Sequence, residues 1–142
     1  MTIKQTSMAV MMALSGVLLA DVGMADVRVQ SQGEVKYVNG GFGLEDREAM
    51  RAQAKDFNLN LSFSEGARGT FVADVKLFIT DKTGDTVLKL DHAGPLTHVR
   101  LAAGRYQVVA EYNNRTIRKS VTLGSKGAGW LYFNWPVQEE AH

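Results

Sequence analysis

The chain has 142 residues, with 16 basic against 15 acidic side chains and therefore a net charge of +1. This length suits one domain with its own core, and so balanced a charge excludes a dedicated nucleic-acid binder. The absence of cysteine excludes thiol catalysis, cysteine metal sites and a lipidated cysteine anchor, whereas a domain of this size can be exported without disulfide bonds.

Residues 1–25 have the features of a secretory signal peptide. Lys4 and the free amino terminus precede an uncharged run, Met8–Ala20, which has the length of a signal-peptide core and falls short of the roughly 20 apolar residues of a membrane span. Small residues at Gly23 and Ala25 predict cleavage after Ala25. The leader looks bacterial and predicts a periplasmic protein. An uncleaved interfacial anchor or a buried helix is the alternative.

Residues 26–43 are polar, with scattered valines, and predict a tether or one short edge strand that ends in a glycine-rich turn. Three glycines between Gly40 and Gly43 permit backbone conformations that other residues resist. A phosphate-binding loop is not indicated, because no Lys-Ser or Lys-Thr pair follows.

Leu44–Phe57 is predicted to be an amphipathic helix with a narrow apolar stripe, lying on a core. Glu45, Asp46 and Glu48 occupy its first turn, where the helix dipole favours negative charge. A carboxylate pair for acid–base chemistry is the alternative, but dipole compensation is the commoner role of such residues.

After Phe57 the apolar residues alternate, which indicates strands. The region 58–136 is predicted to be a seven-stranded antiparallel Greek-key β-sandwich, with 137–142 as a tail. The segment 81–85 predicts a hairpin turn rather than a calcium loop, because it offers too few oxygen ligands. Lys119 breaks the alternation of its strand and is expected at a β-bulge or at a sheet edge. The inward-facing residues are predicted to be Ala73, Val75, Leu77, Ile79, Leu88, Leu90, Val99, Leu101, Tyr106, Val108, Ala110, Ile117, Val121, Leu123, Leu131 and Phe133.

A short motif supports this architecture. Leu101, Gly104, Tyr106, Val108 and Ala110 form the pattern L-x-x-G-x-Y-x-V-x-A, which resembles the signature of carboxypeptidase regulatory-like domains. The resemblance implies a transthyretin-like β-sandwich in a small bacterial periplasmic protein, with the tyrosine ring in the core and its hydroxyl on a backbone group near the corner. Such domains serve many functions, so the resemblance implies fold and compartment more than activity.

No catalytic, metal or cofactor site is predicted. His92 and His98 flank Gly94-Pro95 without an obvious third metal ligand except Asp91, and no G-x-S-x-G motif is present. Hydroxyisourate hydrolase, an enzyme of the transthyretin-like fold, would carry a Tyr-Arg-Gly-Ser carboxyl terminus, which this chain lacks. The histidines are expected in loops or at strand edges, in water.

The last strand carries large aromatic residues on both faces. Trp130 and Tyr132 share one face, where exposed rings would stack on a sugar or dock a partner, unless the helix covers them. Arg115 and Arg118 are further candidate ligand-binding residues. With Arg100, Arg105, Lys119 and Lys126 they would form a basic patch for anionic glycans or lipid headgroups, or would solvate and protect strand edges.

The sequence thus predicts an exported, non-enzymatic β-sandwich module that mediates protein or cell-envelope contacts. A carbohydrate or small-ligand binder that uses the last-strand aromatics is one alternative, and an unrecognised hydrolase is another. No nucleic-acid partner is expected, and after processing the protein is not expected to be integral to a membrane.

Overall fold

The computed structural model describes residues 28–124 and 129–137. The predicted leader, 1–25, lies outside the described residues, as does the predicted tail after Val137. The protein is mainly β, with two sheets and one short helix, as the sequence predicts. Among the described residues, no helix is long and apolar enough to cross a membrane.

Ten strands and one α-helix occur in the described residues. In chain order they are β1 (Gln30–Gln32), β2 (Val35–Gly40), α1 (Leu44–Gln53), β3 (Leu59–Glu65), β4 (Thr70–Phe71), β5 (Val75–Asp81), β6 (Thr86–Ala93), β7 (Leu96–Arg100), β8 (Gly104–Tyr112), β9 (Arg115–Leu123) and β10 (Gly129–Trp135). The helix ends earlier than predicted, at Gln53, and a 3-10 turn, Ala54–Asp56, continues it.

Sheet A contains β1, β2, β7, β3 and β10 in that order, and β4 pairs with part of β3. The prediction of a tether or single edge strand before the helix is therefore wrong. β1 and β2 form a hairpin, and β2 pairs with β7 on its other side. Sequence alternation is weak here because the face of β2 away from the main core is covered by the helix, so both of its faces carry apolar residues.

Sheet B contains β6, β5, β8 and β9 in that order, all antiparallel. The β5–β6 connection is the predicted hairpin turn. The Asp81 carboxylate accepts hydrogen bonds from the backbone N–H groups of Thr83, at 2.9 Å, and Asp85, at 3.0 Å. The Thr83 hydroxyl also donates to this carboxylate, and that hydrogen bond lowers the pKa of Asp81. The β8–β9 turn uses Asn113 and Asn114, both with positive φ, as a tight two-residue hairpin requires.

One strand pair departs from the predicted antiparallel arrangement. β10 lies parallel to β3, with Trp130 beside Asn60 and Phe133 beside Phe63. The chain leaves β9 at the edge of sheet B and enters sheet A in the direction of β3. The alternation of apolar residues shows which side chains are buried but carries no information on strand direction.

The main core lies between the two sheets, and most of the predicted inward-facing residues are buried in it. The prediction that Ala73 faces inward is wrong, because Val72 is buried there instead. Asp74 adopts φ +58° and separates β4 from β5, so the alternation does not continue through it. Ile117, Val121 and Leu131 are only partly buried, since β9 and β10 are the outer strands of their sheets.

Two side-chain amides join the sheets along one side. The Gln32 amide donates to the Lys89 carbonyl at 2.7 Å and accepts from the Lys89 N–H at 2.9 Å. The Asn39 amide donates to the His92 carbonyl at 3.1 Å and accepts from the Gly94 N–H at 2.6 Å. Because a carboxamide offers the same donor and acceptor as a peptide group, these contacts satisfy the outer edge of β6.

The opposite side is closed by β10. The Trp135 indole N–H donates to the Arg115 carbonyl at 3.0 Å, and the Arg115 guanidinium donates to the Pro136 carbonyl at 2.7 Å. Lys119 lies half-buried with its Nζ 5.5 Å from the centroid of the Phe133 ring. Its inward lean at an edge strand matches the sequence prediction.

The motif Leu101 to Ala110 forms the expected corner. Gly104 has φ +156°, a conformation that side-chain-bearing residues rarely adopt. The buried Tyr106 ring follows, and its hydroxyl donates to the Ala102 carbonyl at 2.7 Å. Burial raises the pKa of Tyr106, and the nearby Asp81 adds to the effect.

We expect the Tyr106→Phe variant to be less stable by about 1 kcal/mol, because the Ala102 carbonyl loses a protein hydrogen bond at a partly buried corner. Chemical denaturation at neutral pH measures the free energy of unfolding. Tyr132→Phe is the control, since Tyr132 is 60% exposed and its variant should unfold like the wild type. Equal losses in the two variants would contradict a role for the corner.

Candidate functional site: an aromatic groove beside the helix

The face of sheet A that points away from sheet B carries two cross-strand rows of side chains. One row contains Val38, His98, Asn60 and Trp130, on β2, β7, β3 and β10 in turn. The next row, two residues along each strand, contains Gly40, Leu96, Ser62 and Tyr132. Side chains two residues apart on a strand share a face, so both rows lie on the same side.

Helix α1 covers the part of this face nearest β2 and β7. A second, smaller core forms there from Val38, Met50, Phe57 and Leu96, and the partly buried Phe71 and Trp130 pack against it. The start of the helix is held by Asp46, whose carboxylate accepts from the N–H groups of Gly41, at 2.6 Å, and Phe42, at 3.0 Å. Asp46 therefore has the structural role expected of a first-turn carboxylate.

The end of the helix is held by two buried polar side chains of the sheet. His98 Nε2 lies 2.7 Å from the Met50 carbonyl oxygen, and the Asn60 amide donates to the Ala54 carbonyl at 3.3 Å. The last carbonyls of a helix have no partners within it, and the N–H of Ala54 bonds to Arg51 rather than to Met50. His98 therefore satisfies the Met50 carbonyl, whereas the Ala54 carbonyl accepts from the Phe57 N–H, at 3.1 Å, as well as from Asn60.

His98 is fully buried between two aromatic rings, which contradicts the expectation of an exposed histidine. Its ring stacks on Phe57, with centroids 5.8 Å apart, and makes a T-shaped contact with the Trp130 ring, with centroids 5.7 Å apart. Burial lowers the pKa of His98, against the opposing effect of its Met50 contact. The imidazole is therefore neutral at pH 7, with Nε2 donating to Met50. Its Nδ1 and the Oδ1 of Asn60 have no partner among the described residues.

Trp130 and Tyr132 form a pair of nearly parallel rings on β10. Their centroids lie 6.1 Å apart and their planes differ by 17°. Trp130 is partly buried against the helix-side core, whereas Tyr132 is 60% exposed. The helix thus partly covers Trp130 and leaves Tyr132 exposed to solvent.

These rings form one wall of a groove of about 440 Å³, which we call the aromatic groove. Phe71, with the Arg47 guanidinium 5.0 Å from its centroid, also borders it. The groove is lined by Arg51, Ala54, Ser62, Ser64, Gly69, Phe71, Leu96, Trp130 and Tyr132. An exposed aromatic face, hydroxyl groups and one cation are features of a site for a polar ligand with an apolar ring face.

The candidate ligand-binding residues of the sequence do not come together. Trp130 and Tyr132 lie on sheet A, whereas Arg115 and Arg118 lie on β9 of sheet B. Arg115 ties β9 to Pro136, and its Nε is buried. Arg100 lies on β7 of sheet A, apart from the arginines of β9, and Lys126 lies outside the described residues. The predicted basic patch is therefore divided between the two sheets.

The two described histidines also lie apart. His92 is exposed and its Nδ1 lies 3.3 Å from Asp74 Oδ1, whereas His98 is under the helix. His142 lies outside the described residues. Over the described ranges, no three histidine, aspartate or glutamate side chains are placed to hold a metal ion.

Sequence reasoning missed Arg51, Ser62, Ser64 and Phe71 as residues of the site. Arg51 follows Arg47 by one helical turn, and Ser62 and Ser64 occupy the polar positions of β3, so alternation marks them only as solvent-facing. The parallel register of β3 with β10 places Ser62 beside Tyr132 and Ser64 beside Asn134. Nothing in the sequence specifies that register.

The sequence matches the family described as Rhizobiales growth-associated tandem repeat domain over residues 58–128, half of the chain. The chain belongs to this family. The matched segment contains β3 to β9 and therefore all of sheet B, while β1, β2, α1 and β10 lie outside it. A search of curated proteins found no match. The matched family is not the carboxypeptidase regulatory-like family, so that resemblance stays a prediction.

We expect the free energy of unfolding to decrease as the pH falls from 7.5 to 5.5. The pKa of His98 is lowered in the folded protein below its ordinary value of 6.5, so the unfolded chain binds a proton first as the pH falls. The contribution of the neutral, buried imidazole to the free energy of unfolding is therefore fully present above pH 6.5 and is lost as the pH falls below it. Urea unfolding across this pH range measures the effect.

The variant His98→Gln should flatten this pH dependence, because it keeps a donor near Met50 without a titrating ring. His92→Gln is the matched control, since His92 is exposed, and it should retain the wild-type profile. A wild-type profile in His98→Gln, or a flat profile in His92→Gln, would show that His98 is not the group responsible.

Proposed function

We propose that this protein is an exported, non-enzymatic recognition module of the cell envelope and that it binds carbohydrate in the aromatic groove. The observation that carries the proposal is the exposed Tyr132 ring, held nearly parallel to Trp130 at the wall of a polar groove. Aromatic faces present an apolar surface to the C–H face of a sugar, while hydroxyl groups bond its substituents.

The support beneath the rings favours binding without rearrangement. Trp130 is fixed by its T-shaped contact with His98 and by the helix-side core, and β10 is held along its full length by β3. A ligand that meets a fixed ring pays little conformational entropy on binding. A protein partner is the competing occupant, but the serines and Arg51 of the groove suit a hydroxyl-rich ligand better than an apolar peptide.

Export rests on the leader. The uncharged run Met8–Ala20 and the small residues Gly23 and Ala25 support a cleavable signal peptide and, with a bacterial leader, a periplasmic location. The family description names a bacterial order and an association with growth. A role of this chain in bacterial growth is therefore part of the proposal.

We further propose that the two sheets form a Greek-key sandwich of the transthyretin-like, carboxypeptidase regulatory-like type. The tyrosine corner supports this, because the Tyr106 hydroxyl bonds to Ala102 just before the strand that carries the motif. Domains of that type serve as binding modules as well as enzymes. A hydrolase of unrecognised type is the alternative function.

We expect the Tyr132→Ala variant to bind isolated envelope polysaccharide about tenfold more weakly than the wild type, because it loses a stacking face. Its free energy of unfolding should change little, since the ring is 60% exposed. Phe42→Ala is the matched control, because Phe42 is 62% exposed and does not line the groove.

Binding by co-sedimentation and stability by thermal unfolding are measured on the same preparations. Trp130→Ala is a poor probe of binding because Trp130 also packs in the helix-side core. Wild-type binding by Tyr132→Ala, or equal weakening by Phe42→Ala, would reject the groove as the site. Release of sugar fragments by the wild type would favour the hydrolase.

A further inference from the structure

The charge of the aromatic groove points to the chemistry of its ligand. Arg51 is the charged residue among those that line the groove, and no lining residue carries a carboxylate. It lies in the last turn of α1 and is exposed. Among the described residues, no carboxylate forms an ion pair with it.

The neighbouring Arg47 does not offer the same free cation. Its guanidinium donates to the Gly41 carbonyl at 3.4 Å and lies over the Phe71 ring, so it is engaged within the protein. Arg51 is one turn further along the helix and faces the groove. An arginine guanidinium binds a carboxylate through two parallel hydrogen bonds, in a geometry that it matches closely.

Two hydroxyl groups of β3 also line the groove, those of the buried Ser62 and the partly buried Ser64. Ser62 is beside Tyr132 in the parallel register of β3 and β10, and Ser64 is beside Asn134. The Ser64 hydroxyl accepts from the Asn134 amide at 2.9 Å, which leaves its own O–H available to donate. The groove thus offers an aromatic face, hydroxyl groups and one cation together.

On the basis of the carbohydrate-binding function proposed above, we infer that the ligand is an acidic polysaccharide built from uronic acids. One sugar ring lies on Tyr132 and its carboxylate pairs with Arg51. A carboxylate attached to a sugar ring carries one negative charge close to the ring plane, which one guanidinium at the rim of the groove matches. A phosphate monoester carries up to two charges and would favour a site with more than one free cation.

The test compares an acidic oligosaccharide with its methyl ester, which lacks the negative charge. Oligogalacturonate and its fully methyl-esterified form have the same sugars and linkages, and the ester has no carboxylate. Titration calorimetry with the purified protein, at millimolar sugar and low salt, should show binding of the acid and at least tenfold weaker binding of the ester. Oligomannuronate serves as a second acidic ligand with a different linkage.

Two variants locate the interaction. Arg51→Gln should weaken binding of the acid about tenfold and leave binding of the ester unchanged, and Arg51→Lys should restore part of the loss. Arg118→Gln is the matched control, because Arg118 is exposed on β9 of sheet B. It should bind both ligands as the wild type does.

The outcomes separate this inference from the proposed function. If acid and ester bind equally and Tyr132→Ala weakens both, carbohydrate binding stands and the acidic ligand is rejected. If Arg118→Gln weakens binding as much as Arg51→Gln, the attraction is a general charge effect and the inference is rejected. If neither acidic oligosaccharide binds, the inference is rejected, while envelope co-sedimentation of Tyr132→Ala still tests the proposed function.

Discussion

The hydrogen bonds from His98 and Asn60 to the carbonyls of Met50 and Ala54 connect the helix to sheet A. A helix of ten residues has little stability alone and depends on such tertiary contacts. The same contacts set the height of the helix above the sheet. They therefore place Arg51 at one side of the groove and Trp130, against the His98 ring, at the other.

The groove also depends on how the two sheets are joined. Side-chain amides of Gln32 and Asn39 satisfy the backbone of β6 along one side, and Trp135 and Arg115 connect β10 with β9 along the other. β10 is an outer strand whose inward residues belong to the main core and whose outward residues border the groove. One strand thus connects the stability of the core with the recognition surface.

Much of the architecture could be predicted because burial imposes a period of two on strands. The described residues form ten strands rather than the predicted seven, and the Tyr106 corner forms its expected bond to a backbone carbonyl. The sequence indicates at most one strand where β1 and β2 form a hairpin, and it does not separate β4 from β5. β2 is covered on both faces, so Tyr37 and Val38 are both buried and alternation does not mark it. The interruption between β4 and β5 depends on the positive φ of Asp74, which one aspartate in the sequence does not predict.

Sequence patterns alone predict a mainly β protein, the position of the helix, the hairpin turns and the two large aromatic residues on one face of the last strand. These follow from local rules of periodicity, turn chemistry and capping, which act between residues close together in the chain. Three features emerge only from the folded arrangement: Trp130 is partly covered while Tyr132 is exposed, His98 is buried, and Arg51 lines the groove. Those outcomes depend on the parallel register of β10 with β3 and on helix docking, which are contacts between distant segments that alternation cannot specify.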